Sequence, residues 1–148
     1  MTRFFCAMTA GALLASAGWA QDAPSGDPEA GESAFRQCQA CHVVEDGDGN
    51  VLAGRNGQVG PNLYGIVGRK AGTVEGFRYS DDMVAAGEAG LEWNEAEFAP
   101  YVQDPTAYLR EYLDDPSARG KMAYQVRSEE DAHDLWAFLA SLSPDEGS

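Results

Sequence analysis

Two cysteines separated by two residues, with a histidine directly after the second, constrain this chain more than any other feature: Cys38-Gln39-Ala40-Cys41-His42. Thiols one helical turn apart reach the two vinyl groups along one edge of a porphyrin, and the next residue's imidazole then points at a central iron. C-x-x-C-H is the attachment signature of a c-type haem, so one pentapeptide supplies two thioether bonds and one axial nitrogen. A redox C-x-x-C of the thioredoxin kind needs a βαβ setting that the rest of the chain does not offer. A structural zinc site needs four ligands, and beyond Cys38, Cys41 and His42 only the distant His133 is available.

The surrounding pattern has to accommodate such a group. Asp27-Pro28 is an N-cap followed by a proline at the first helical position, and Ala30, Ala34, Cys38 and Cys41 recur at helical spacing, so a first helix runs up to the cysteine pair. From Val43 to Ser80 there are nine glycines and no sustained period of two or 3.6, which predicts a long wrapping segment, and no strand pattern of length appears along the chain. A wrap of that size is suspect in a compact domain unless something fills the space it encloses, and a haem would fill it. Ser80 caps a short helix over 81–87. Asn94 with Glu97 opens another towards Tyr101, where Pro100 predicts a kink or an early stop. Asp104-Pro105 opens a helix to about Leu113, ended by Asp114-Asp115-Pro116. After a loop over 114–127, Ser128 and Asp131 cap a last helix with the apolar stripe Ala132, Leu135, Trp136, Leu139 and Leu142. Ser143-Pro144 stops it, leaving a frayed acidic tail.

Residues 1–20 carry one early cation, Arg3, then an apolar run and an A-x-A-like end at Gly18, Trp19 and Ala20. They read as a secretory signal cleaved after Ala20, with an uncleaved anchor as the alternative. Residues 21–148 then form one domain. Cys6 leaves with the signal, which pairs the remaining cysteines in an exported protein. The chain has 10 Lys+Arg against 24 Asp+Glu, and loss of Arg3 brings its net charge from −14 to −15. That balance excludes non-specific nucleic-acid binding and keeps the protein soluble.

A sixth iron ligand decides between carrier and enzyme. Met1 and Met8 depart with the signal. Met83 sits among apolar neighbours on a short helix and reads as core filling, and His133 on an acidic helix face reads as a surface histidine. Met122, in the loop segment Gly120-Lys121-Met122, suits a strap closing over the far face of the iron. With both axial positions filled there is no open site for a substrate, and a thioether raises the potential relative to a second nitrogen.

The run Gly60-Pro61-Asn62-Leu63-Tyr64-Gly65-Ile66-Val67-Gly68-Arg69-Lys70, followed by Gly76-Phe77-Arg78-Tyr79, closely resembles the class I cytochromes c, above all the bacterial cytochrome c2 and c-550 type of alphaproteobacteria. The resemblance extends from about Gly31 to Leu142. It implies an all-α fold of about five helices with long loops wrapped around one haem c. It implies that the Pro61 carbonyl holds the second ring nitrogen of His42, that Tyr79, Trp93 and Arg69 serve a haem propionate, and that Tyr101 lies near the Met122 sulfur. Gly31 and Phe35 would cross Leu135 and Phe138. The sequence departs from the mitochondrial members at Gly120 (a threonine there), Tyr124 (a phenylalanine) and Met83 (an asparagine).

The function so implied is soluble one-electron carriage in the periplasm by a monomer that docks transiently on membrane complexes. The donor would be a quinol-oxidising cytochrome bc complex, and the acceptor a terminal oxidase, a photosynthetic reaction centre or a periplasmic reductase. A haem enzyme or gas sensor with a labile sixth ligand is the alternative from another class. Arg36, Arg119, Lys121 and Arg127 lie within a few residues of the expected haem ligands on an otherwise acidic body, which predicts a dipole that steers the protein to negative patches.

Overall fold

In a computed structural model, residues 23–55 and 57–144 are described; the expected signal, residues 1–20, and the end of the acidic tail lie outside them. Five helices carry the fold: α1 (Pro28–Phe35), α2 (Asp81–Glu88), α3 (Glu95–Gln103), α4 (Pro105–Tyr112) and α5 (Glu129–Ser141). Each begins where a short polar side chain can accept from an otherwise unpaired backbone N–H. Asp27, Ser80, Asn94, Asp104 and Ser128 all do so. No helix among the described residues is long and apolar enough to cross a membrane.

The frame is a crossing of α1 over α5. Gly31 is buried there, and a Cβ on it would overlap the Asp134 carbonyl, so only glycine lets the two backbones approach so closely. Phe35, 1% exposed, meets Phe138 with ring centroids 5.5 Å apart. The expected α5 stripe faces inward, with Ala132, Leu135, Trp136 and Leu139 buried. Phe98 of α3 packs on Trp136 at 5.3 Å, which fixes α3 against α5.

Two expectations are corrected. The 43–80 wrap contains a small antiparallel hairpin, β1 (Val43–Glu45) with β2 (Val51–Gly54), paired Val43 to Gly54 and Val44 to Ala53, with an irregularity between Val44 and Glu45. Three or four residues are too few for alternation to stand out. Its turn is closed by Asp46, whose carboxylate accepts from the backbone N–H groups of Asp48 and Asn50 at 2.9 Å each. The early stop at Pro100 does not occur either, since α3 continues to Gln103. Proline costs a helix the bond from its own nitrogen, here the one to the Ala96 carbonyl. Ala96 and Pro100 are both exposed, so water can serve that carbonyl. The helix after Asp104 ends as expected, with Asp114 in the left-handed region at φ 50°.

Candidate functional site

The irregular segments between these helices enclose a cavity of about 270 Å³ that opens to the surface. One wall grows directly out of α1. Beyond Phe35 the chain tightens into turns: the Cys38 N–H donates to the Phe35 carbonyl at 2.8 Å, and the N–H groups of Cys41 and His42 both donate to the Cys38 carbonyl, at 3.1 and 2.9 Å. Those turns bring Cys38, Cys41 and His42 to the cavity together. Cys38 and Cys41 are free thiols, and burial, reinforced by Cys41, pushes the Cys38 thiol up to about 11. A cysteine so placed is not a ready thiolate.

His42 is oriented by its neighbour across the turn. Its Nδ1 lies 2.9 Å from the Pro61 carbonyl oxygen. A carbonyl can only accept, so Nδ1 carries the proton and Nε2 keeps its lone pair. Burial lowers the imidazole below its ordinary range, and the Pro61 bond acts in the opposite direction. Gly60 lies against the ring so closely that a Cβ there would overlap it, and its N–H donates to the Cys41 carbonyl at 2.8 Å. The Gly-Pro dipeptide is therefore a two-part seat, with glycine giving room and proline giving the acceptor.

The other expected residues converge on the same space: Arg69, Tyr79, Trp93, Tyr101 and Met122 all line it. The Arg69 guanidinium donates to the backbone carbonyls of Tyr64 and Asn62, at 2.9 and 3.1 Å. It has no carboxylate partner among the described residues, and burial lowers it from its ordinary range, with Tyr79 opposing. A half-buried cation facing a cavity without a counter-ion suits a group that brings its own negative charge. The Tyr79 hydroxyl accepts weakly from the Val74 N–H at 3.4 Å, and its pKa is raised by burial.

Met122 comes in on a strap between α4 and α5. The Arg119 N–H donates to Asp82 at 2.7 Å, the Gly120 N–H to the Thr106 hydroxyl at 3.3 Å, and the Lys121 ammonium to the Arg78 carbonyl at 2.7 Å. Gly120 lies beside Pro105, where a Cβ would come within 3.2 Å of the proline Cβ.

Further side chains reach the cavity, among them Met83 and Tyr124, which the sequence marked as departures from the mitochondrial pattern, and Val59, which it did not single out. Met83 is buried, as core filling requires, yet it also lines the cavity. Val59, 75% exposed, and Tyr124, 44% exposed, stand at the cavity as large side chains open to solvent. Gly60 belonged to the recognised run, but its role is steric and carries no chemical signal. His133 is less of a surface histidine than its acidic helix face suggests: its Nδ1 is 2.7 Å from Glu95 and its ring is half-buried.

A covalently attached haem fits this set of residues. The two thiols and the imidazole share a wall, aromatic and aliphatic side chains fill out the rest, and an unpaired guanidinium stands where carboxylates could be received. No model of a protein family matches the chain. Among individual proteins, cytochrome c2 of Rhodovulum adriaticum is 64% identical over 118 residues, covering 80% of this chain and 94% of that protein. Cytochrome c-550 of Paracoccus versutus is 42% identical over 127 residues, covering 84% of this chain and 80% of that one. The crystal structure of cytochrome c2 from Rhodobacter sphaeroides superposes with a TM-score of 0.79 at 53% identity, over 80% of this chain and 97% of that one. With relatives at this level along most of its length, the chain belongs to the cytochrome c2 family, electron-transfer proteins of the class I cytochrome c fold that carry one covalently bound haem c.

Proposed function

We propose that Cys38 and Cys41 form the two thioether bonds to the haem, that His42 and Met122 are its axial ligands, and that the protein shuttles single electrons in the periplasm. The observation that carries this reading is the 2.9 Å bond from His42 Nδ1 to the Pro61 carbonyl beside the two thiols. It leaves Nε2 unprotonated and aimed by a second partner, the arrangement of metal-bound histidines generally. The haem iron supplies reversible one-electron change between ferrous and ferric states. The chain's own part is to hold that iron between a nitrogen and a thioether and to keep water away from it with the buried Phe35, Trp93 and Phe98. Arg69, Tyr79 and Trp93 serve the propionates, and Tyr101 lies near the Met122 sulfur.

With both axial positions taken, electrons pass outward to a docked partner. The donor is a quinol-oxidising cytochrome bc complex and the acceptor a terminal oxidase, reaction centre or reductase. Lys121 lines the cavity, and the exposed Arg36, Arg119 and Arg127 lie within a few residues of Cys38 or Met122 in sequence, which supports a positive approach on an acidic body. Reversing Lys121→Glu should slow transfer to a membrane oxidase at low salt, and an unchanged rate would remove the steering idea. The residue 1–20 signal directs export, so the mature chain begins at Gln21.

The decisive experiment is optical and mass analysis of periplasmic protein. One haem on a chain starting at Gln21, with the weak sulfur-to-iron charge-transfer band, is expected. Ferrous protein should not bind carbon monoxide at neutral pH, whereas Met122→Ala should bind it readily. Rapid binding by the native form would favour a gas sensor or haem enzyme.

A further inference from the structure

The strap that presents Met122 is entered through a single peptide gripped from both ends. The Ala118 carbonyl accepts from Arg110 Nε of α4 at 3.1 Å, and the Arg119 N–H donates to the Asp82 carboxylate of α2 at 2.7 Å. These two groups belong to one planar peptide, trans like the others among the described residues, so its carbonyl and N–H point in opposite directions. A guanidinium therefore stands at the negative end of that peptide and a carboxylate at the positive end. Ala118 is 1% exposed, and neither Arg110 nor Asp82 has a direct ion-pair partner among the described residues. Neither side chain lines the cavity, and electron transfer to a docked partner assigns them no part.

The next residues repeat the alternation. The Gly120 N–H turns back to α4, donating to the Thr106 hydroxyl at 3.3 Å, and the Lys121 side chain turns to the segment before α2, donating to the Arg78 carbonyl at 2.7 Å. Thr106 and Arg110 are four apart on α4 and so share one of its faces. The approach to Met122 thus threads between α4 on one side and the start of α2 on the other. Of these ties, the two on the Ala118–Arg119 peptide set a full charge against each end of one dipole. Hydrogen bonds to ionised groups are stronger than neutral ones, and groups in one hydrogen-bonded chain polarise one another. The carboxylate draws on the N–H, which makes the carbonyl a better acceptor for the guanidinium, and the reverse holds equally. Beyond Lys121, no hydrogen bond among the described residues holds 122–125, and the next tie is the Val126 N–H to the Val102 carbonyl.

We propose that Arg110 and Asp82 are positioning residues for Met122, coupled to each other through the Ala118–Arg119 peptide that they grip from opposite sides. Met122 lies three residues beyond Arg119. With no polar tie on 122–125, its sulfur is placed by how firmly that entry is fixed. Loss of either charge weakens the bond made by the other, so the entry releases as a unit and the thioether leaves the iron more often. The inference rests on the reading of Met122 as an axial ligand, whereas the grip on the peptide is measurable without it.

The test compares native, haem-loaded ferric protein with Asp82→Ala, Asp82→Asn, Arg110→Met and the double variant Asp82→Ala/Arg110→Met. Hydrogen–deuterium exchange over residues 118–124, read by mass spectrometry, reports the grip. Imidazole, a nitrogen ligand that reaches the iron only when Met122 has left, reports the consequence, and the sulfur-to-iron band reports ligation in each sample. Asp82→Ala and Arg110→Met should each exchange faster over 118–124 and bind imidazole several-fold more tightly. The double variant should bind it little more tightly than either single one. Asp82→Asn, which keeps an acceptor without the charge, should fall between native protein and Asp82→Ala. If native protein lacks the band while exchange still quickens in the variants, the ligand reading fails and the grip stands. With the band present, unchanged exchange or unchanged imidazole affinity in Asp82→Ala would overturn the proposal. So would a double variant whose gain in affinity equals the product of the single gains.

Discussion

The wall that presents His42 and the strap that presents Met122 face one cavity, yet they are held by different kinds of bond. The wall is tied largely backbone to backbone, with the part-buried Asn62 and Arg69 side chains bracing it: turns run on from α1, the Gly60 N–H returns to the Cys41 carbonyl at 2.8 Å, and the Leu63 N–H reaches the Val43 carbonyl at 3.0 Å. The strap depends at Arg119 and Gly120 on side-chain acceptors from α2 and α4, and at Lys121 on its own long side chain. Its one backbone tie of comparable reach is Val126 to Val102 at 2.8 Å. Exposed side-chain bonds each contribute about 1 kcal/mol or less net, because water replaces them well. A cavity built in this way has one fixed side and one that can release, so the proposed Met122 ligand should be lost before the proposed His42 ligand.

The largest expected effect separates the two sides outright. In Cys38→Ala/Cys41→Ala the haem should be lost on extraction with acidified organic solvent, whereas Met122→Ala should keep all of it and change only the spectrum. Equal loss from both would break the comparison. Next comes Gly60→Ala. Its new carbon overlaps the His42 ring, and overpacking of a tight site costs roughly 1–3 kcal/mol. A fall in the thermal midpoint with a disturbed haem spectrum is expected, and a native-like melt would show that the wall yields more easily than its backbone bonding suggests.

How much of this was legible in the sequence follows the same division. The wall is written locally: Asp27-Pro28, the C-x-x-C-H pentapeptide and Gly60-Pro61 each specify their own geometry over a few residues, and the caps at Ser80, Asn94, Asp104 and Ser128 announce their helices. Met122 was reached by elimination among the methionines, because nothing near it in sequence says which cavity it faces. The hairpin escaped notice since its strands are too short to show a period. The continuation of α3 through Pro100 depends on solvent access to the Ala96 carbonyl, which is a property of the folded surface. The pairings Tyr108 with Glu97 and His133 with Glu95 join separate helices, so no spacing rule reaches them.

A smaller effect sharpens the account of the strap. Asp82→Ala removes the acceptor for the Arg119 N–H at 2.7 Å, worth about 1 kcal/mol. The charge-transfer band of methionine ligation should vanish at a lower denaturant concentration or a lower pH of ligand exchange, while the midpoint of global unfolding moves little. Should both shift together, strap and wall would be a single cooperative unit.

The smallest effect lies away from the cavity, where residues before α1 meet α3 and α5, and it tests whether the wall's foundation is as fixed as its turns. Glu95 accepts from the Ser25 N–H at 3.1 Å and from the Ser25 hydroxyl, and stands 2.7 Å from His133 Nδ1; Glu129 is 3.7 Å from the other ring nitrogen. Next to it the buried Asp134 accepts from the Asp27 N–H at 2.7 Å, holding the residue that caps α1. Burial alone would raise the Glu95 carboxyl, but the bonds from Ser25 and His133 outweigh it and keep the group below the usual carboxylate range. A carboxyl depressed in the folded state contributes stability that is fully present above its unfolded pKa and is lost as pH falls through the folded value. Glu95→Gln should therefore melt below native protein at pH 7, and the gap should close steadily as the solution is acidified past the carboxylate range. A gap that persists unchanged into acid would mean that shape rather than charge holds the Ser25 segment, and α1 would then owe its anchoring to Asp134 and the Gly31 crossing alone.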